Sequence, residues 1–443
     1  MGLIRSLTVG ASSMIAHQRK FDVISNNLAN ASTIGYKSNR ATFVDQLSQT
    51  YRTGSTPSTD TEKGSGGVDP MQFGMGVKIG SVQMNMNQGI IENTDRPLDM
   101  ALNGDGFFVY KQNGVQKFSR AGAVSKDKEG YLVDANSGSF LQGYNVLPDT
   151  NGKPTKGSND EIKLDRKIAN LRIAPSTISH AKQTTIVSVN GNLDSGTKES
   201  DGLKPTSIQI FDNTGIGRNI EVNFRRTANI NEFELSANLD GKSLPISETI
   251  VTFNADGTLK SPFNVKITAA NLNTSVGGGN VFDAVTPQDL TIVLGSSNNS
   301  TSDSITQFSG ASSASLSTQD GYKAGTLQSY EVDTKGKVLG SFSNGRTETL
   351  GQVVLARFTN SEALQKQGNN FYIPSPDSGI PNFGTATENF ASTTVIGRSL
   401  EQSNVDLTEQ FTDMISTQRA FEAASRTITV SDQLLTEINS IKR

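Results

Sequence analysis

The chain has 443 residues, long enough for roughly three domains, and a formal net charge of −3, so no basic field exists to gather nucleic acid or an anionic membrane. Hydrophobic residues make up 34%, below the globular norm, and Ser, Thr, Asn and Gly fill the difference, which favours modest cores under a polar, turn-rich surface. No cysteine occurs, which excludes disulfides, thiolate metal sites and cysteine catalysis.

The first predicted element is a helix from about Leu3 to Asn30. Leu7, Met14, Phe21 and Leu28 recur every seven residues along it, close to two helical turns, and so form one narrow apolar stripe. Gly35, just beyond, suits the left-handed conformation of a helix C-terminus. The same segment is no secretory signal, because Thr8, Gly10, Ser12 and Ser13 break its apolar run, and nowhere does a run approach the roughly 18 apolar residues of a membrane span. Residues 36–90 read as a linker or spacer. They hold a short segment with Phe43, Val44 and Leu47 on one face, then Gly54–Gly67, dense in Gly, Ser, Thr and charge.

From Val77 onward the pattern becomes β. Phe107–Tyr110 and Tyr131–Val133 are predicted strands, with a turn at Gln112-Asn113-Gly114, and residues 149–160 look like a boundary. A second β region contains Ile208–Phe211 and Ile220–Phe224 around the turn Asp212–Gly215, then Thr249–Phe253 before the hairpin signal Asn254–Gly257. The polar stretch Gly295–Ser317 closes this insert. A hairpin at Thr334–Gly336 and a strand at Gly351–Phe358 precede the last helix, which Asn404 or Asp406 can cap.

That last helix repeats the opening pattern: Leu407, Met414, Phe421, Ile428 and Leu435 recur every seven residues. Neither helix can bury such a stripe alone, and isolated helices are marginal in water. The partner of each is the other helix or copies on neighbouring subunits, the signature of a polymer-forming protein. Four residues beyond the stripe positions stand Ala11, Gln18 and Ser25, and Phe411, Gln418, Ser425 and Asp432. That mostly small, polar set makes a poor two-helix zipper and suits helices packed among many neighbours.

The predicted fold class is α+β and multi-domain, with paired, coiled-coil-like terminal helices (1–35 and 403–443). A β-rich middle domain (91–148 and 316–402) and an inserted β-rich outer domain (149–315) nest between them. An enzyme needs a constellation, and none is present. His17 and His180 are the only histidines, Gly215-Ile216-Gly217 lacks the following helix of a phosphate loop, and Asp127–Gly130 has the wrong spacing for a calcium loop. No catalytic residue, cofactor or metal is expected.

Ser25-Asn26-Asn27-Leu28-Ala29-Asn30-Ala31-Ser32-Thr33-Ile34-Gly35-Tyr36-Lys37 resembles the N-terminal motif of the bacterial flagellar rod and hook proteins. Ser403–Leu407, with Met414-Ile415 and Gln418-Arg419, resembles their C-terminal motif. Leu98–Phe108 and Leu141–Tyr144 are similar to their shared β-domain. Within this family the long insert resembles hook members more than distal rod members. A surface adhesin would explain the insert alone but not the paired heptads.

The resemblance implies a self-assembling tubular universal joint that transmits motor torque, located in the flagellar hook and exported without a cleaved signal peptide (extracellular, or periplasmic in a spirochaete). Implied partners are further copies of the chain, rod, hook cap and hook–filament junction proteins, and the flagellar type III export apparatus. Nucleic acid and membrane insertion are not expected. The stripe residues with Asn26, Asn27 and Asn30 are the candidate assembly set. The asparagines either cap a solvent-exposed helix end or penalise the wrong register at a subunit contact. Phe43-Val-Asp-Gln-Leu47 resembles the short element by which early flagellar substrates engage the export gate. Some spirochaete hooks are cross-linked through a cysteine sulfur, which this chain lacks, so a polymer held by non-covalent contacts is expected.

Overall fold

The computed structural model describes residues 2–57, 66–148, 154–157, 161–198, 205–276, 282, 289–296 and 304–441. Its helices are α1 (Gly2–Ala29), the short α2 (Ala269–Ser275) and α3 (Leu407–Ile441). The terminal helices α1 and α3 lie side by side and antiparallel. Ser6 meets Ser431 near one end of the pair, and Asn27 meets Gln410 at the other.

Strand pairs close the chain on itself layer by layer. Ile91–Asn93 pairs with Ser399–Glu401, Met100–Asn103 with Thr394–Gly397, and Phe140–Asn145 with Thr347–Val353. The middle layer is a 14-stranded sheet whose ordered path runs from Ile178–Ser179 at one end to Gln365–Gly368 at the other. Its core gathers Met100, Leu102, Phe108, Tyr110, Leu132, Leu141, Val338 and Leu355, all fully buried. Asn113 and Gly114 both take positive φ (50° and 84°), the geometry of a tight hairpin turn between Phe107–Gln112 and Val115–Ser119.

The insert has its own core. Gly217–Arg226 and Glu232–Leu239 alternate strictly, so Ile220, Val222 and Phe224 face Phe233, Leu235, Ala237 and Leu239 on one buried side. The sequence reading finds the first of these strands and passes over the second. The turn predicted at Asp212–Gly215 is present. Asp212 Oδ1 accepts from the backbone N–H groups of Thr214 and Ile216, at 2.9 Å each, and Gly215 has φ +84°.

Two boundaries differ from the sequence expectation. Leu171 and Ile173 pack in the middle core, and Ala169–Asn170 and Ile178–Ser179 pair with middle-layer strands, so the insert's own core begins at Val187 rather than near 149. Two-residue strands carry too little alternation to be read from sequence. Residues 36–90, expected as spacer with β patterning only from Val77, hold strands earlier as well: Asn39–Asp45 pairs with Val77–Met84, and Ser48–Arg52 with Met71–Gly74. Of the Gly54–Gly67 spacer, residues 58–65 lie outside the described residues, as do 149–153, 158–160 and 297–303 of the polar stretches predicted to bound the insert.

Candidate assembly interface

The seam between α1 and α3 is made mostly of small and polar residues, with Ile24 the large apolar exception. On α3, Thr417, Ala424 and Ser431 are buried, with Gln410 half-buried one heptad earlier. On α1 the buried residues are Gly10, Ala16, Ile24 and Asn27. This seam lies three residues past the apolar stripe on α3, not four as the sequence expectation has it. Cross-links along it are Ser6 Oγ to Ser431 Oγ at 3.0 Å, Lys20 Nζ to Asp413 Oδ2 at 3.4 Å, and Asn27 Nδ2 donating to Gln410 Oε1 at 3.0 Å. A Cβ on Gly10 would stand 2.9 Å from Ile428 Cγ1, so glycine is what lets the two helices approach.

The stripe residues lie on the flank of this pair. Leu7, Met14 and Leu28 on α1, and Met414, Ile428 and Leu435 on α3, are half-buried, while Phe21, Leu407 and Phe421 are exposed. Ile15, Phe411, Ile415, Val430, Leu434 and Ile438 add further exposed apolar area. Of the two partners left open for the stripes, the other helix therefore takes only part.

The three asparagines have different surroundings. Asn27, 1% exposed, is fully engaged inside the chain: its Nδ2 donates to Asn39 O at 2.8 Å, and its Oδ1 accepts from Asn39 N at 2.9 Å. Asn26 is exposed and its Oδ1 accepts from the Tyr36 hydroxyl at 2.8 Å. Asn30 closes the helix end, its Nδ2 donating to Asn26 O at 2.8 Å.

A buried ionic junction roots the helix pair in the middle layer, and nothing in the sequence singled it out. Lys37 Nζ lies 2.6 Å from Glu401 Oε1, with both side chains at 0% exposure. Arg120 Nη1 stands 3.5 Å from Glu401 Oε2, and Gly89 N donates to Oε1 at 2.9 Å. Burial lowers the pKa of Lys37 and of Arg120, and Glu401 opposes both shifts.

Around this pair, Gly35 N donates to Glu401 O at 2.7 Å, and Asn404 bridges Ser38 N to the carbonyls of Asn85 and Asn87. Asn404 is thus a docking residue, and Asp406 is the cap of α3, accepting from Thr408 N at 2.8 Å. Gly35 does take positive φ (+69°), but six residues beyond the end of α1. A Cβ there would sit 2.7 Å from Ala121 N, so close packing on the middle layer, not helix capping, requires glycine. Lys366 Nζ lies 4.4 Å from the centre of the Tyr36 ring and donates to Lys37 O at 2.9 Å, and burial lowers its pKa to about 8.

The export candidates sit apart from both features. Phe43 is half-covered, its ring 5.2 Å from that of His17 on α1, and Leu47 is 62% exposed between two strands. The neighbouring hairpin is held to α1 by Arg5, whose guanidinium lies 4.8 Å from the Phe73 ring centre and 5.6 Å from that of Tyr51. Among the described residues no group of His, Asp or Glu is arranged to hold a metal ion, and no helix is long and apolar enough to cross a membrane.

Four family models match in chain order: flagella basal body rod protein over residues 7–37, flagellar hook protein FlgE/F/G D1 domain over 101–192, flagellar basal body protein FlaE D2 domain over 181–322, and flagellar basal body rod FlgEFG protein C-terminal over 397–441. The chain is 34% identical to the flagellar hook protein FlgE of Treponema pallidum, with all of both chains covered. It is 33% identical to that of Borreliella burgdorferi, covering 99% of this chain and 100% of the other, and 31% identical to that of Escherichia coli, covering 97% and 98%. The crystal structure of the Helicobacter pylori flagellar hook protein FlgE2 is similar at 14% identity and a TM-score of 0.46, over 70% of this chain and 100% of that one.

Proposed function

From the premise that this chain belongs to the flagellar hook protein family, as a structural subunit of the hook, we propose that α1 and α3 build the inner wall of the hook tube through contacts between copies. The middle sheet and the insert form successive outer layers. The single observation that carries this reading is the division of the helix surfaces: mostly small and polar inside the subunit, with Ile24 as the buried apolar exception, and mostly large and apolar outside it. A seam of mostly Ser, Thr, Ala and Gly buries little apolar area beyond Ile24, so the helix pair gains most of its stability when Phe21, Leu407, Phe411, Ile415 and Phe421 meet neighbouring copies. The subunit works by assembly rather than catalysis. Rod, cap and hook–filament junction proteins would meet the ends of the tube, and the export apparatus would engage Phe43 and Leu47 before folding.

Bending of a rotating tube needs outer contacts that lengthen and shorten each revolution. Polar contacts exchange with water at low cost, whereas close-packed cores resist continuous deformation. The polar surface of the insert suits that sliding role. Truncation after Thr408 tests the inner-wall assignment, because it removes Met414, Phe421, Ile428 and Leu435 and uncovers Ala16 and Ile24 while leaving both β cores intact. Each lost apolar side chain is worth roughly 1.5–3 kcal/mol per subunit when buried. Electron microscopy of the concentrated protein should show no tubes, and normal tubes would overturn the assignment.

A further inference from the structure

Two linkers join the insert to the middle layer, residues 180–185 on the way out and 320–324 on the way back. They run as one antiparallel ribbon whose register breaks once. On the middle-layer side Ile178 faces Thr326 and Ser179 faces Gly325, and three residues further along each strand Lys182 faces Tyr322. The insert's own ladder has Val187 opposite Gln319, which lies five residues on from Lys182 but only three from Tyr322. Two surplus residues are therefore taken up in the outgoing linker between Lys182 and Val187. A bulge of this kind bends its strand and sharpens the local twist, so it re-aims whatever the strand leads into.

The bulge is pinned from the returning strand. Asp320 Oδ1 accepts from the backbone N–H groups of Thr185 and Ile186 at 2.8 and 2.9 Å, and Oδ2 accepts from Thr185 Oγ1 at 2.7 Å with Lys182 Nζ 3.5 Å away. Thr184, fully buried, donates its Oγ1 to Gln319 Oε1 at 3.2 Å and exchanges backbone contacts with Phe211 of the insert: Thr184 N donates to Phe211 O at 3.0 Å, and Phe211 N donates to Thr184 Oγ1 at 2.9 Å. Gly321 lies directly against this residue. A Cβ there would stand 2.8 Å from Thr184 N, so glycine lets the returning strand close over the bulge. The insert's turn at Asp212–Gly215 rests on both linkers, since a Cβ on Gly215 would stand 2.8 Å from Ala181 Cβ and 3.3 Å from Lys323 Cα.

We infer that this bulge, clasped by Asp320, sets the angle at which the insert stands on the middle layer, and that Asp320 is its positioning residue. Backbone amides at a break in register need an acceptor, and one carboxylate oxygen supplies it for two of them. The clasp thereby turns two crossing linkers into a neck of one shape. In the polymer that angle decides where the outer layer meets neighbouring copies. This consequence rests on the hook-subunit reading, whereas the angle itself is a property of the single chain.

Because the chain has no native cysteine, spin labels can be placed at will. With Val115→Cys in the middle layer and Ile230→Cys in the insert, 55% and 84% exposed, pulsed electron spin resonance of the full-length monomer should give one narrow distance distribution. Asp320→Ala should broaden and shift it, and should speed hydrogen exchange at the Thr185 and Ile186 amides about ten- to a hundredfold. Asp320→Asn keeps an oxygen for both amides and should stay close to the parent in both measurements. Should Asp320→Ala not fold, Gly321→Val carries the test, because it forces the strands apart at the bulge with the carboxylate in place and should also move the distribution. An unmoved distribution in either variant, or one as broad in Asp320→Asn as in Asp320→Ala, would overturn the assignment while leaving the hook-subunit reading intact. Failure of the parent chain to form tubes would overturn that reading and leave the neck standing.

Discussion

Glu401→Gln is the sharpest probe of the junction between the helix pair and the middle layer. It preserves volume but removes the negative charge shared by Lys37 and Arg120, whose side chains are 0% and 4% exposed. Stranding a buried charge by removing its partner costs about 3–5 kcal/mol. For the Lys37 share, chemistry sets a ceiling of similar size, whereas Arg120 keeps its proton and its part of the cost. Lys37 can shed its proton instead, at about 1.36 kcal/mol per pH unit from an ordinary value near 10.4 down to pH 7, or roughly 4.6 kcal/mol. The expected loss at pH 7 is therefore about 3–4 kcal/mol.

The same logic fixes a pH signature. In the variant, the folded pKa of Lys37 falls further below its unfolded value, so the unfolded state binds more protons in the alkaline range, and the deficit shrinks as pH rises toward 10. Urea titration followed by tyrosine fluorescence isolates the relevant transition. The chain has 8 tyrosines and no tryptophan, and none of the tyrosines falls between residues 181 and 320, so the insert is silent. Adding Lys37→Met to Glu401→Gln should recover part of the loss by removing the stranded cation. A loss below about 1 kcal/mol, or one independent of pH between 7 and 10, would refute a structural role for the pair.

Gly10→Val drives a branched side chain into Ile428 and should weaken the helix pair by about 1–3 kcal/mol, seen as early loss of far-UV helical signal and relieved by Ile428→Ala. Burial holds Lys366 near pKa 8 when folded, against 10.5 for the free group, so the unfolded state binds more protons between those values. The melting temperature of the parent chain relative to Lys366→Met should accordingly climb from pH 8 to 10.5, and a flat difference would contradict that burial. The double variant Phe43→Ala and Leu47→Ala should remain inside the cell, and normal secretion would remove these residues from any export role.

The β hairpins were legible because their turns are written in local chemistry. Asn113-Gly114, Asp212–Gly215 and Asn254–Gly257 each place Gly where φ is positive, and flanking alternation of apolar residues sets which face is buried. The strands at 39–52 and 71–74 were not legible for the converse reason, although β patterning was read from Val77 onward. Their faces are mostly exposed in the single chain, so selection for burial leaves no alternation to read, and the polar run between them mimics a linker. Lys37, Glu401 and Arg120 are separated by up to 364 residues in sequence, and a lone charged residue looks the same whether solvated or buried in a pair. The nearest sequence signal was the motif ending Gly35-Tyr36-Lys37, which marks the place without naming the counter-ion.

The heptads show a more specific limit. A repeat of Leu, Met, Phe and Ile every seven residues establishes that a helix has one apolar edge, but not which surface that edge meets. Inside this subunit, close approach was achieved by a second repeat of small residues three positions away, with Gly10 beneath Ile428 and Ala424 and Ser431 along the opposing helix. Small residues bring two backbones together while contributing little transfer free energy, so they build a pair that is well defined in register and weak in isolation. Asn27 adds to that definition: sliding α3 by one turn would break its bond to Gln410, and its bonds to the Asn39 backbone fix α1 against the strand that follows. The large residues are thereby kept free on the flank. If the stripe is the assembly surface proposed above, a monomer built this way resists its premature burial, because the geometry that would cover the stripe is the one its mostly small, polar seam excludes.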